Sequence, residues 1–360
     1  YDVPQSVFDT VANTSAADGN TDSLAFIDPD YEQPSEWKYS LGATYTMDNG
    51  LTLDGDIIYS RQNDPAYYED VSQTQIGTTA AGAPIFDFVA GSENYMLTNA
   101  NTYGDGLAVS LIAKQRYDWG LDWSLGYAYT DQTDVSPMTS SVASSNFNNL
   151  ALSSLVDPRA ATSNYVSPHR FTARISYARE FIPGHETRIT AFMFSKEGQP
   201  QSHVMSSSDL EGDQRYGRHL LYVPSPNGDD NVVIQPGFDT AGWNTFLKTN
   251  GYEQYAGGFV PRNARHTRWS NRMDLRIDQE LPLFFGTQAR AYLKIYNVLN
   301  MLNDSWGRQY DSYFYSQAVV TSSVDGDGRY VFENFRNRGL TDLRENASLY
   351  EIRLGVQFEF

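Results

Sequence analysis

Acidic residues at alternate positions make the most specific chemical pattern in this sequence. Asp209, Glu211 and Asp213 flank a leucine and a glycine, and calcium loops space their carboxylate ligands in this way. The other ligand positions of such a loop are missing, so a solvated acidic turn is the alternative. The run Asp-Gly-Asp-Gly at 325–328 repeats the pattern, although its two glycines suit the tip of a hairpin. We expect a candidate calcium site at 209–213 and no required cofactor.

Residues for covalent catalysis form no recognisable motif. The chain has no Cys, which excludes thiol catalysis, disulfide scaffolds and Cys-ligated metal centres. Its histidines form no pair four residues apart and no His-Glu-x-x-His motif, and nothing in the sequence places one beside a serine nucleophile. They are His169, His185, His203, His219 and His266. We therefore expect that the protein is not an enzyme.

Aromatic residues in the long polar connections are the candidate ligand contacts. Their rings are amphipathic and offer contact area at a low entropic cost. The same rings would also suit packing of the connections against one another, and the sequence leaves both roles open. The rings are Tyr67, Tyr68, Phe86, Phe88, Tyr95, Tyr103, Phe238, Trp243, Tyr252 and Tyr255. One short helix is predicted at 241–251, with Trp243, Phe246 and Leu247 on one face and Asn250-Gly251 at its end.

The charge and hydropathy of the whole chain exclude further classes. The 360 residues carry 44 Asp+Glu against 26 Lys+Arg, a formal charge of −18, which argues against a nucleic-acid partner. A mean hydropathy of −0.50 and the lack of an apolar run near 18 residues exclude a transmembrane helix. We recognise no signal peptide in the first residues. The aromatic content of 14 % is high for a soluble acidic protein.

Alternation of apolar and polar residues predicts β-strands of about ten residues that pair through short turns. In the first, Trp37, Tyr39, Leu41, Ala43 and Tyr45 share one face, and an Asn-Gly turn follows. The nine alternating segments are 37–46, 51–60, 107–117, 121–130, 169–179, 187–195, 269–280, 288–298 and 350–360. Three later turns are expected at 118–120, at 183–184, and around Pro282 and Gly286.

Short turns alternate with long connections, which predicts an all-β fold of the transmembrane antiparallel barrel type with long extracellular loops. Aromatic residues crowd both ends of the strands, as at the two membrane interfaces. The polar face carries charges that fit a water-filled lumen and do not fit a dry core. These charges are Asp54, Asp56, Lys114, Arg116, Arg174, Arg272, Asp274, Arg276, Asp278 and Lys294.

The last two strands resemble those of TonB-dependent outer-membrane receptors, in particular the Oar-like branch. The sequence Ile-Tyr-Asn-Val-Leu-Asn-Met-Leu-Asn at 295–303, followed by Trp306-Gly307, is similar to their penultimate strand. The segment 352–360 resembles their terminal strand, in which Phe358 and Phe360 would form the assembly signal. Further similar segments are 34–38, 169–170, 198–200, 209–213 and 221–224.

This resemblance implies energy-coupled uptake of a ligand across the outer membrane of a Gram-negative bacterium. The loops and the upper lumen would capture the ligand, and the C-terminus would be periplasmic. The family has 22 strands and a plug, whereas about nine strands are expected here. Residues 37–360 would therefore form only the C-terminal part of such a barrel. Residues 1–36 would belong to an extracellular loop. The implied partners are the remaining N-terminal barrel with its plug, the inner-membrane energy-transducing complex, and outer-membrane lipid with lipopolysaccharide. The alternatives are a passive or structural outer-membrane barrel (a porin or translocation partner) and a secreted soluble β-protein, such as an adhesin or a glycan-active protein.

Overall fold

The protein is mostly β-sheet, as the alternation predicts. The computed structural model describes Gln5 and residues 23–89, 93–206, 210–213, 217–284, 287–311, 316–336 and 342–359. Strands account for 54 % of the structure and helices for 10 %, so the all-β prediction is confirmed. No helix within these ranges has the length and apolar composition needed to cross a bilayer.

Nine long strands form one antiparallel meander, in which each strand pairs with the next along the chain. All nine predicted segments are strands of this sheet. Its first and last strands are not paired with each other, so the sheet is open among the described residues. The strands are β1 Ser35–Thr46, β2 Thr52–Asn63, β3 Asp105–Arg116, β4 Leu121–Asp134, β5 His169–Ile182, β6 His185–Lys196, β7 Ser270–Phe284, β8 Thr287–Tyr296 and β9 Glu351–Glu359.

The short turns follow the predicted chemistry, with one difference. In the first turn the Gly50 N–H donates to the carbonyl of Met47 at 2.9 Å, and Gly50 has a φ of +84°, which glycine adopts without strain. The β7–β8 hairpin was predicted to turn around Pro282 and Gly286. Strand β7 instead continues through Pro282 to Phe284, with a register shift between Leu281 and Phe284. Such an irregularity tolerates a proline because its missing N–H is not needed there. Gly286 lies outside the described residues.

The register separates the sheet into two faces of opposite character. One rung of directly opposed residues crosses six strands and is apolar: Leu53, Ala113, Leu125, Ala173, Met193 and Met273. The neighbouring rung is mostly polar or charged: Thr52, Lys114, Ser124, Arg174, Phe192 and Asp274. Because side chains alternate along each strand, every strand contributes to both faces. Apolar side chains on the first face are open, with Leu41 73 % and Leu354 79 % exposed.

The long connections fold into a second body, which we call the loop assembly (the described residues of 64–104, 135–168, 197–269 and 297–350). Its strands are Ala66–Asp70, Gln73–Thr78, Pro84–Phe88, Asn94–Asn99, Ala161–Thr162, Pro200–Ser206, His219–Leu220, Tyr222–Val223, Val232–Ile234, Gly258–Phe259, Arg265–His266, Tyr310–Asp311, Ser316–Val324, Tyr330–Phe335 and Asp342–Leu343. Leu24–Ile27 pairs with Asn94–Asn99 in parallel. The helices are α1 Ala143–Asn148, α2 Thr240–Asn250, α3 Val298–Leu302, α4 Glu345–Ser348 and a 3-10 helix at Tyr252–Tyr255.

The largest hydrophobic core of the molecule lies in this loop assembly. Helix α2 forms where it was predicted: the Asp239 carboxylate accepts from the Gly242 N–H at 2.9 Å at its start, and Gly251 with a φ of +66° ends it. The helix buries Trp243, Phe246 and Leu247 against the hairpin of Ser316–Val324 and Tyr330–Phe335. Phe332 is fully buried there, and its ring centroid lies 5.8 Å from that of Trp243.

Truncation of this core should destabilise the loop assembly. We expect Phe332→Ala to lower the free energy of unfolding by about 3–5 kcal/mol, because it removes a buried ring beside Trp243. Ile234 lies opposite Phe332 in the adjacent strand and is 44 % exposed, so Ile234→Ala should cost less than about 1 kcal/mol. Denaturant titrations followed by tryptophan fluorescence measure both values, and equal losses would contradict this location of the core.

Candidate functional site

The predicted ligand-contacting aromatic residues divide by burial. Six of the ten have their rings covered by protein: Tyr67, Phe86, Tyr95, Phe238, Trp243 and Tyr252. Tyr68, Phe88 and Tyr255 are half-buried. Tyr103 is 47 % exposed, and the guanidinium of Arg61 lies 3.7 Å from its ring centroid. A role in ligand contact therefore stays a prediction, and Tyr68, Phe88, Tyr103 and Tyr255 are the rings with accessible surface.

The predicted calcium ligands that the structure describes lie in a buried cluster of charges. Asp209 lies outside the described residues. The carboxylate of Glu211 is 3.3 Å from Nδ1 of His219, and that of Asp213 is 3.4 Å from Nε2 of the same ring. The described ranges contain no group of three or more His, Asp or Glu side chains arranged to hold a metal ion. Calcium binding at 209–213 stays a prediction, with His219 as the cation found beside both carboxylates.

The charge cluster of Glu211, Asp213, Arg218 and His219 joins several parts of the loop assembly. Tyr330 donates its hydroxyl hydrogen to Glu211 at 2.8 Å, and the backbone N–H of Phe86 donates to the Glu211 carbonyl at 2.8 Å. The guanidinium of Arg218 lies 4.3 Å from the ring centroid of Phe147 in α1. All four side chains of the cluster are at least nine-tenths buried. Removing one member would leave a buried charge uncompensated, which is strongly destabilising.

Opposing effects set the protonation of His219. Burial alone would lower the pKa of the imidazole, but the neighbouring Glu211 and Asp213 carboxylates raise this pKa to about 9. His219 is therefore charged at neutral pH and balances one carboxylate. His203 shows the opposite case, because burial lowers its pKa to about 3. It remains neutral in the core, where its Nδ1 lies 2.6 Å from the hydroxyl of Tyr252.

A second buried ion pair attaches the loop assembly to the end of β4. Arg262 donates to the Asp134 carboxylate at 2.7 Å, to the Val135 carbonyl at 2.7 Å and to the Ala161 carbonyl at 3.1 Å. Both partners of the pair are more than nine-tenths buried. These bonds fix the connection before β7 against the strand end of β4.

The hairpin tip at 325–328, where the acidic pattern recurs, is held closed by hydrogen bonds and an ion pair of Asp325. The Asp325 carboxylate accepts from the backbone N–H groups of Asp327 at 3.0 Å and Arg329 at 2.9 Å, and it pairs with the Arg329 guanidinium at 2.8 Å. These bonds close the tip between two antiparallel strands. The backbone hydrogen bond from Arg329 is the largest of the effects that lower the pKa of Asp325.

The polar face of the main sheet forms a charged groove near its short turns. A cavity of about 610 Å³ is lined by Lys114, Arg116, Asp122, Arg174 and Arg188 among others. Lys114 pairs with Asp54 at 2.8 Å, Arg188 pairs with Glu186 at 2.8 Å, and Arg174 pairs with Asp122. Three of the four basic side chains are thus paired with carboxylates, and Arg116 adds a further positive charge to the wall of the groove.

The alternation placed three residues of this groove on the polar face: Lys114, Arg116 and Arg174. The sequence analysis did not include Asp122 and Arg188. Asp122 lies between Leu121 and Trp123, and Arg188 precedes Ile189. The same period of two that placed Lys114 would have placed both on the polar face. Phe358 of the predicted assembly signal lies on the apolar face opposite Ala289 and is 56 % exposed, whereas Phe360 lies outside the described residues.

Comparison with known proteins does not identify a family or a function for this chain. No model of a known protein family matches the chain, and a search of curated proteins returns no match.

The raised pKa of His219 predicts a loss of stability in alkali. The folded-state pKa of about 9 exceeds the ordinary histidine pKa of 6.5, so the stabilisation is fully present below pH 6.5 and is lost as the pH rises through 9. We expect the free energy of unfolding to fall by a few kcal/mol across this window. Urea titrations between pH 6 and pH 10 (roughly the interval in which these groups change) measure it.

The matched variants are His219→Gln and His185→Gln, the latter at the first residue of β6. His219→Gln should be less stable at neutral pH and should lack this alkaline decline. His185→Gln should retain the decline. The same decline in wild type and His219→Gln would show that another group is responsible.

Proposed function

We propose that this chain is the C-terminal part of an outer-membrane receptor barrel of the TonB-dependent type, which takes up a ligand by energy-coupled transport. The observation that carries the proposal is the nine-stranded sheet with one continuous apolar face and one charged face, both open. An exposed apolar surface of this extent indicates contact with lipid or with another protein. A charged opposite face is suited to a water-filled lumen.

The length of the strands supports a membrane location. They run from 9 to 15 residues, and about 9–11 tilted residues cross the hydrocarbon layer. The longer strands extend beyond this length. At the end of β4, for example, Asp134 belongs to the extension and contacts the loop assembly through its hydrogen bond from Arg262. The strands therefore have room for a hydrocarbon span and for an extension beyond it.

Aromatic residues at both ends of the strands support the same location. At the loop end, Tyr127, His169, Phe171 and Trp269 form a band with ring centroids 4.8–6.3 Å apart. At the turn end, Trp119 lies 5.5 Å from Tyr117 and 5.9 Å from Tyr177. Aromatic rings favour the interfaces between hydrocarbon and water, so two such bands are typical of a membrane-spanning barrel.

The two open edges of the sheet support the proposal that further strands complete the barrel. Strands β1 and β9 each pair on one side only among the described residues. An unpaired backbone group in hydrocarbon costs several kcal/mol, so an open sheet is not stable there. We infer that the remaining N-terminal barrel pairs with both edges, that lipid and lipopolysaccharide surround the apolar face, and that a plug contacts the basic groove around Arg174.

A charge placed on the apolar face should prevent membrane assembly. Leu111 lies in the middle of β3 on this face, and Ser110 lies beside it on the polar face, where its hydroxyl donates to Asp56 at 3.3 Å. Leu111→Arg should destabilise the membrane-inserted state by about 2–4 kcal/mol. Ser110→Arg should assemble normally, because its guanidinium can pair with Asp56 in water. The measurement is the amount of folded protein in the outer-membrane fraction, and equal assembly of both variants would exclude lipid contact at Leu111.

Conductance distinguishes an energy-coupled receptor from a passive barrel. The protein purified with all chains that assemble with it would be inserted into planar lipid bilayers. A plugged receptor should show no steady ion conductance, because the plug fills the lumen. Steady, stepwise conductance would contradict the receptor assignment and would support a porin-like barrel with the same strands.

A further inference from the structure

A cavity with an unusual charge lies in the loop assembly beside the start of β7. Its volume is about 690 Å³, and its wall includes Arg265, His266, Thr267, Arg268 and Arg308. Trp269 and Tyr310 add two aromatic side chains. The residues of 265–269 precede β7, whereas Arg308 and Tyr310 come from the connection between β8 and β9, so two separate connections build the site.

The arginines of this cavity lack acidic partners. Arg265, Arg268 and Arg308 form no ion pair with a described residue. Arg308 donates from Nε to the Asp304 carbonyl at 3.0 Å, and the Arg268 guanidinium lies 5.3 Å from the Tyr310 ring centroid. Most arginines on the polar face of the sheet have an ion-pair partner. Three guanidinium groups with no carboxylate partner among the described residues are therefore a distinct feature of this cavity.

The only carboxylate in the described wall of this cavity is that of Glu197. It lies 3.8 Å from Nδ1 of His266. Burial lowers the pKa of His266 despite the opposing effect of Glu197, so the imidazole is neutral near pH 7. The wall therefore has an excess of positive charge, which favours an anion.

Three consecutive residues of the wall also carry buried polar atoms without a hydrogen-bond partner in the structure. These atoms are Nε of Arg265, Nε2 of His266 and Oγ1 of Thr267. Thr267 is 4 % exposed. Buried polar groups in folded proteins are nearly always hydrogen-bonded, so this segment has polar groups that the described residues leave unsatisfied. Arg268 is exposed, and an oxyanion accepts from guanidinium N–H groups such as those of Arg268 and Arg308.

We propose that this cavity binds a phosphate-bearing ligand. A phosphate group offers several acceptor oxygens and up to two negative charges, which match three guanidinium groups better than a single carboxylate does. Trp269 and Tyr310 would contact the sugar or acyl part next to the phosphate. The phosphate can come from the headgroup of a phosphorylated lipid or from a soluble sugar phosphate. The site lies in the loop assembly and does not depend on the proposed transport function, although it shares Trp269 with the aromatic band at the loop end of the strands.

Calorimetry on the protein purified in detergent micelles with all chains that assemble with it tests the site with defined probes. The lipid probe is bisphosphorylated lipid A, with dephosphorylated lipid A as its control. The soluble probe is glucose 1-phosphate, with glucose as its control. Arg268→Gln and Arg308→Gln should each weaken binding of the phosphorylated probe about tenfold, because each removes a charge-assisted hydrogen bond. Arg329→Gln is the matched control, because Arg329 pairs with Asp325 in a different hairpin.

Each outcome has a defined meaning. Binding of phosphorylated lipid A alone supports the site with a lipid headgroup as its ligand, and binding of glucose 1-phosphate supports it with a soluble ligand. The proposal is overturned if neither phosphorylated probe binds. It is also overturned if the dephosphorylated controls bind equally well, or if both cavity variants bind as Arg329→Gln does. Near-ultraviolet circular dichroism shows whether each variant is folded.

Discussion

The period of two along nine paired strands is the constraint on which the rest of the structure depends. Each strand places its apolar residues on one side only when its register with both neighbours is kept, since a slip of one residue exchanges the faces. The rungs through Leu53 and through Lys114 show this register maintained across six strands. The apolar face, the charged groove and the two aromatic bands all follow from it.

The sheet and the loop assembly are stabilised in different ways. The loop assembly has a buried core around Trp243 and Phe332 and buried charges such as His219, and its burial resembles that of a water-soluble domain. The main sheet exposes Leu41 and Leu354 instead, so its stability rests on backbone pairing and on the surroundings of its apolar face. One chain thus combines a body that forms its own core with a sheet whose apolar face is open.

Sequence periodicity predicted the main sheet well and the loop assembly poorly, for physical reasons. Alternation is a local property, so the nine strands and the side-chain faces could be derived residue by residue. Helix α2 could be derived from its apolar face and from Asn250-Gly251 at its end. The continuation of β7 through Pro282 depends on how the partner strand tolerates an irregularity, which a single-strand pattern does not show. Contacts between distant connections determine how Tyr67 and Tyr252 pack and how the cavity between Arg265 and Arg308 forms. The sequences of these connections carry no periodic signal. Asp122 and Arg188 could have been found by applying the alternation to every charged residue.

The most direct measurement compares spin labels at Leu111 and Ile112 in β3, which the lack of native cysteines allows one at a time. Both residues are apolar, but Leu111 lies on the apolar face and Ile112 lies opposite Asp54 on the polar face. In the membrane-assembled protein, our account predicts that the label at Leu111 collides mainly with lipid-soluble oxygen. The label at Ile112 should collide mainly with a water-soluble nickel complex. Equal accessibility at both positions, or the reverse order, would contradict the assignment of the two faces.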